Sequence, residues 1–399
     1  MTRHITPSFL ALLALAFGSF VISTSEFASM GLLPLFADGL NLDVPMATNA
    51  ITAYALGVMA GAPLITIGAA SVNKRTLLII LLVVAVLANL LTAVANDLGL
   101  LVVARFLSGL PQGAYFGAAS VVATAIVGMD RGGRAISLVM GGITFATIVG
   151  APVGTLFGQM LGWRIAYLVI AGLGALATLA IIVWLKPSAA YAGSSLRQEL
   201  SALGRLSVWG MLVFAAIVVA SLFSVYTFVG PLVSHAGLPE SITPIALALI
   251  GIGMALGNML GGYLADRYRF AAMIAGFLVT LVMLAIMALT TSHPASLLIM
   301  LAVTGFTLMV AVPTIPLQMM KLAPEAPTLM GSLNMASFNI ANALGAAAGG
   351  VAVHAGFGVP SAIWAGSGLT ALGLVFFLVI RPYLKTPADK RAASEKAHA

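Results

Sequence analysis

Apolar residues run along this chain in long unbroken blocks rather than in alternation with polar ones. Blocks of about 20 residues without a period of two predict membrane-crossing helices instead of strands. Twelve such blocks can be marked, at approximately 9–33, 46–69, 76–95, 98–127, 135–158, 164–185, 208–232, 243–264, 271–291, 295–320, 328–353 and 360–381. Short polar breaks separate them, except at 186–207, where a longer polar segment runs from Lys186-Pro187 through Arg197-Gln198-Glu199 to Arg205. Six predicted spans therefore lie on each side of one linker. The organisation expected is a first six-helix bundle over 1–187, a linker over 188–207, a second bundle over 208–382 and a tail over 383–399. The first block is too long for a cleavable secretion signal, and no small-residue cleavage site followed by a soluble domain succeeds it, so it is expected to stay in place.

Composition agrees with lipid as the solvent. Of 399 residues, 61% are hydrophobic and 7% charged, against roughly 25% charged in soluble domains. Backbone groups in a bilayer must be satisfied within the protein, and the absence of alternation selects helices over a closed barrel. With no cysteine in the chain, disulfides, thiolate metal sites and cysteine nucleophiles are excluded.

The net charge of +7 could suggest nucleic acid, but its distribution gives another reading. With the N-terminus inside, the inner segments hold Arg3, Lys74, Arg75, Arg131, Arg134, Lys186, Arg197, Arg205, Arg267, Arg269, Lys321, Arg381, Lys385, Lys390, Arg391 and Lys396. That is sixteen of the eighteen Lys and Arg residues. The outer loops carry Asp38, Asp43, Asp97, Glu240, His235, His293 and His354. The excess positive charge is thus a topology signal facing anionic lipid, with both termini cytoplasmic and no nucleic-acid partner.

The halves repeat. A shift of 196 positions carries Gly57, Gly61 and Gly109 onto Gly253, Gly257 and Gly305, and a shift of 195 carries Gly150 and Gly154 onto Gly345 and Gly349. The fold class expected is an all-α integral membrane protein, twelve transmembrane helices forming two pseudo-symmetric six-helix bundles. Two related halves of six spans are a transporter architecture, with the substrate site near the midplane.

Candidate chemistry begins at Glu26, the one acidic residue that falls in no loop, tail or helix end. An ionisable group within a span costs at least a few kcal/mol and so marks a functional position. Arg105, early in the fourth span, sits about seven residues, or roughly 10 Å, from the outer end. Glu26 lies a similar distance from the outer end of the first span. A carboxylate and a guanidinium at matched depth are expected to meet or to share waters; a static structural pair is the alternative. Gln112, Tyr115, Thr144, Thr147, Tyr226, Asn258, Gln318, Asn334, Asn339 and Asn342 are polar positions within spans. Each could line a cavity or serve as interhelical glue. Phe27 and Met30, flanking Glu26, are cavity candidates too. No phosphate-cradling glycine–lysine loop and no cluster of metal-binding spacing is present, so no cofactor or metal is expected.

Gly261-Gly262-Tyr263-Leu264-Ala265-Asp266-Arg267, at the end of the eighth span, closely resembles the signature loop of the major facilitator superfamily. The first-half equivalent, Ala69-Ala70-Ser71-Val72-Asn73-Lys74-Arg75, has Ala70 where the acid should stand. Arg105-Phe106-Leu107-Ser108-Gly109 resembles the Arg-x-x-x-Gly motif of that superfamily's drug–proton antiporters. Gly150-Ala151-Pro152-Val153-Gly154 is a variant of their fifth-span motif, where smooth glycine faces and a helix-bending proline meet. The first-span run Thr24-Ser25-Glu26-Phe27 through Met30-Gly31-Leu32-Leu33-Pro34 is similar to that of bacterial arabinose- and chloramphenicol-type exporters.

These resemblances imply the major facilitator fold and a proton-coupled exporter working by alternating access in the bacterial inner membrane. In it Glu26 and Arg105 would couple protons, and Gly150, Pro152, Gly154, Gly261, Asp266 and Arg267 would serve conformational change. The partners implied are protons, membrane lipid and a small neutral or weakly polar substrate, with the chain a monomer and not an enzyme. A proton-coupled uptake symporter is the alternative, and a receptor or embedded enzyme a distant one.

Overall fold

The computed structural model describes residues 7–42, 44–47, 49–193, 195–239, 242–268 and 270–384. Arg3, Asp43, Glu240, Arg269 and all but the first two residues of the expected tail lie outside them. The chain divides into two compact units, Met1–Gly193 and Ser194–Ala399.

In the first unit the spans are Pro7–Gly31 (span 1), Asn49–Gly68 (span 2), Lys74–Ala93 (span 3), Leu98–Val127 (span 4), the run Gly132–Phe145, Ala146–Gly150 and Ala151–Leu161 (span 5), and Trp163–Trp184 (span 6). In the second they are Leu206–Tyr226 (span 7), Thr243–Tyr268 (span 8), Phe270–Thr290 (span 9), the pair Pro294–Ala311 and Thr314–Leu322 (span 10), Pro327–Ala352 (span 11) and Ser361–Ile380 (span 12). Among the described residues, eleven helices are long and apolar enough to cross a membrane. Span 11 has 26 residues, ample length for a crossing, but Ser332, Asn334, Ser337, Asn339 and Asn342 lower its average hydropathy.

Burial is inverted relative to a water-soluble protein. Met160, Met259 and Leu289 are more than 70% exposed, while Arg105, Asn89, Asn258, Gln318 and Asn334 are buried. Apolar side chains facing outward on every long helix need lipid around them.

The duplication is written into the packing. A side chain at Gly57 would collide with the carbonyl oxygen of Phe106, one at Gly61 with that of Leu110, and one at Gly109 with that of Tyr54. In the second unit Gly253 faces the carbonyl of Ala302, Gly257 that of Phe306 and Gly305 that of Ile250. Each partner is displaced by the same 196 positions as its glycine. Spans 2 and 4, and likewise spans 8 and 10, are held at backbone contact by glycines that admit no Cβ.

The offset of 195 for the fifth-span glycines needs correction. Gly142 rests on the carbonyl of Ala16 and the amide of Phe20, and Gly345 on the carbonyl of Ala220 and the amide of Ser224. Gly345 therefore corresponds to Gly142 and not to Gly150. Gly142 and Gly345 match at a shift of 203, so one register does not serve the whole repeat.

Candidate functional site

Span 5 is the track on which span 1 lies. Gly142, Gly150, Gly154 and Gly158 face Ala16, Thr24, Ala28 and Leu32 in turn, and Gly31 of span 1 faces Thr155. Contacts with neither helix able to add a methyl hold span 1 close along most of its length. Between Phe145 and Ala151 the helix widens into a π turn, Ala146–Gly150. Pro152 explains the widening: its ring cannot sit against the carbonyl one turn back, and a looser turn removes the clash. Pro152 itself is exposed, and the bend expected of it takes the form of this π turn.

Arg105 is fully buried, and its surroundings come from five helices. Its Nη1 donates to Ser25 Oγ at 3.0 Å, and its Nη2 to the Ser25 carbonyl at 2.8 Å and to Ser29 Oγ at 2.7 Å. The guanidinium carbon lies 4.6 Å from the ring centre of Tyr54 on span 2 and 5.3 Å from that of Tyr167 on span 6. Because a guanidinium only donates, the direction of every bond beyond it is fixed. Ser25 Oγ accepts from Arg105 and so donates to Asn89 Oδ1 of span 3, at 2.6 Å. Asn89 Nδ2 in turn donates to the Ala85 carbonyl. Ser29 donates to the Ser25 carbonyl, which leaves the Tyr167 hydroxyl, 2.8 Å away, as donor to Ser29 Oγ. The Tyr54 hydroxyl donates to the Ile22 carbonyl. Two cation–π faces and three charge-assisted hydrogen bonds allow a buried cation here.

Glu26 is one residue from this knot and takes no direct part in it. Its Oε2 accepts from Gln112 Nε2 at 2.6 Å. Among the described residues the ion pair expected between Glu26 and Arg105 is not made. The depth match holds, since Arg105 grips Ser25, but consecutive side chains on a helix point about 100° apart. Arg105 and Gln112 are seven residues apart on span 4 and share a face, so one helix holds both neighbours. Arg105 remains near enough for its charge to act on Glu26. Glu26, Phe27 and Met30 keep partial exposure, whereas Ser25 and Ser29 are buried.

The remaining polar candidates divide. The Tyr115 hydroxyl donates to the Leu15 carbonyl at 3.0 Å, with the ring fully buried, so it is a strut between spans 4 and 1 and not a cavity wall. Thr147, in the π turn, donates back to the Thr144 carbonyl of the preceding α segment, and Asn339 to the Met335 carbonyl one turn back. Those bonds are made inside their own helices, which fits glue more than ligand contact. Tyr226 and Asn342 are half-buried, and Asn334 and Gln318 are buried with one amide atom each unpartnered. Sequence reasoning missed Ser25, Ser29, Tyr54, Asn89 and Tyr167. Of these only Asn89, a lone amide in an otherwise apolar block, carried a signal.

The conformational candidates also have defined surroundings. Gly261 packs against the carbonyls of Met309 and Val310 on span 10. Arg267 is exposed, donates to the Tyr263 hydroxyl at 3.2 Å and lies over the Tyr268 ring. In the first-half loop Ala70 stands 196 positions before Asp266, Lys74 donates back to the Ala70 carbonyl, and Arg75 turns elsewhere. Arg75 donates to the carbonyls of Ile182 and Leu185 at the end of span 6, and Asn73 caps span 3 while donating to the Ser188 carbonyl. The last carbonyls of a helix lack intrahelical partners and favour a cation. In the second unit Arg205 joins Glu325 at 2.6 Å and the Leu322 carbonyl.

Two repeated six-helix units, apolar outside and polar within, with a charged residue buried in one of them, define a multi-pass secondary transporter. The chain belongs to the Major Facilitator Superfamily, whose family model matches residues 15–337. It is similar to the inner membrane transport protein YdhP of Escherichia coli O157:H7, 39% identical over 94% of this chain and 96% of that one. It is also similar to a chloramphenicol resistance protein of Streptomyces lividans, 30% identical over 95% and 99%. The proton:xylose symporter XylE, bound to 6-bromo-6-deoxy-D-glucose, superposes with a TM-score of 0.75 at 13% identity, covering 97% of this chain and 98% of that one. That likeness concerns the fold. The family makes the protein a transporter and not an enzyme.

Proposed function

We propose that this protein exports small neutral or weakly polar compounds in exchange for protons, by alternating access, with both termini on the cytoplasmic side. The observation that carries the reading is Glu26. It is a half-buried acidic residue within a span, bonded to a neutral amide and not to a cation. An acid locked to Arg105 would keep its charge through the cycle; one held by Gln112 can take up and release a proton. Arg105 fixes the backbone beside it through Ser25, and the glycine face of span 5 lets span 1 shift without steric obstruction. Phe27, Met30, Tyr226, Asn334 and Asn342 are the cavity positions this reading retains. One membrane acid and no cluster of acids favour neutral over cationic cargo, and similarity to a chloramphenicol resistance protein supports export.

A proton symporter working in the uptake direction would use the same carboxyl, and the fold likeness to a proton:xylose symporter keeps it as the second reading. A growth and metabolite-export screen decides between them. Cells lacking and overproducing the protein are compared for chloramphenicol tolerance and for export of sugars and nucleosides, with and without an uncoupler. Export that the uncoupler abolishes is expected. Accumulation of the compound in overproducing cells contradicts export and supports uptake.

A further inference from the structure

Gln112 is 3% exposed and uses half of its amide. Nε2 donates to Glu26 Oε2, while Oε1 is buried without a hydrogen-bond partner. A buried amide oxygen left unpaired costs free energy, so it calls for a donor in some state of the protein. An ionised carboxylate accepts only, and offers that oxygen nothing. A protonated carboxyl carries one O–H donor beside one acceptor, the complement of a primary amide.

We propose that Gln112 is the positioning residue that clasps Glu26 when the acid is protonated, closing a ring of two hydrogen bonds. Amide Nε2 donates to the carbonyl oxygen of the acid, and the acid O–H donates to amide Oε1. The proton comes from water to Glu26 Oε1, and no other bond changes. Loss of the proton opens the second bond and leaves the single contact present in this structure. Protonation therefore tightens the tie between spans 1 and 4 at one point, while Arg105 holds Ser25 in either state. The inference rests on the reading of Glu26 as the proton carrier.

The groups around Glu26 leave Gln112 as the fitting partner. Span 4 contributes Arg105, span 2 Tyr54 and span 6 Tyr167, while Tyr115 of span 4 reaches Leu15, well along span 1 from Glu26. Span 3 presents the uncharged Asn89, and the face of span 5 against span 1 carries glycines and Thr155. Arg105 can accept nothing. The hydroxyls of Tyr54 and Tyr115 are directed to the Ile22 and Leu15 carbonyls and that of Tyr167 to Ser29.

The test is pH-difference infrared spectroscopy on the purified full-length protein in lipid, with carbon-13 in the glutamine side-chain amides. Acidification should raise a carboxylic C=O band that is absent from Glu26→Gln. An amide C=O band should move to lower frequency with the same midpoint. In Gln112→Met, a change of similar volume, the amide shift should vanish and the carboxyl band should move to higher frequency. A carboxyl band that titrates with no accompanying amide shift in the wild type overturns the clasp and leaves Glu26 as proton carrier. Absence of any band that Glu26→Gln removes overturns both readings. The wild-type spectrum decides the matter alone if Gln112→Met does not fold.

Discussion

Ser25 and Glu26 are neighbours in the chain and answer to different partners on one helix. Arg105 takes the serine and Gln112 takes the acid. Arginine is suited to its place by its planar fork, which reaches a carbonyl and two hydroxyls at once between two aromatic rings. A lysine carries the same charge on a single nitrogen and stacks less well. Arg105→Lys is expected to lower transport at least about tenfold while the protein still folds, as a bond network loses charge-assisted members. Asn89→Ala, which removes the acceptor that orders Ser25, should cost about 1–2 kcal/mol of stability, read as a drop in the thermal midpoint in detergent. If either variant is indistinguishable from wild type, the network is not the device described.

At the scale of the element, glycines decide which helices may touch and where they may move. Gly57 and Gly253 face carbonyls at equivalent places in the two units, so alanine should be equally unwelcome in both. Gly57→Ala and Gly253→Ala are each expected to destabilise by about 1–3 kcal/mol, in the range of overpacking; unequal losses would count against a shared packing scheme. Gly150 is different because it faces Thr24, two residues before Glu26. Gly150→Val should push span 1 away from span 5 and reduce transport more than stability, compared by initial export rate and thermal midpoint. The spans themselves were legible because lipid imposes long apolar blocks. Span 11 was legible despite its asparagines because its length and flanking breaks remained. The bond partners were not legible. Depth along a helix can be counted from sequence, but the angle around it separates Ser25 from Glu26, and a serine among apolar residues gives no sign that it will hold an arginine.

For the whole molecule, repetition and difference matter together. The repeat supplies two units with matching glycine contacts, visible in the sequence as a constant offset between spans 2 and 8 and between spans 4 and 10. It fails for the fifth-span glycines, where Gly142 and Gly345 match at a shift of 203, and it does not extend to the chemistry. The described spans of the second unit have no counterpart of Glu26, since the one carboxylic acid in them is Asp266, near the end of span 8. The first-half loop, with Ala70 at the position 196 residues before Asp266, ties span 3 to the end of span 6 through Arg75. The proposed proton carrier therefore lies in one unit. The most direct measurement is substrate-driven proton movement in vesicles reconstituted with the wild type and with Glu26→Gln, using a compound found in the export screen. The account predicts that adding the compound moves protons across wild-type vesicles, and that Glu26→Gln exchanges the compound down its gradient with no proton flux. Undiminished proton flux in Glu26→Gln would contradict it.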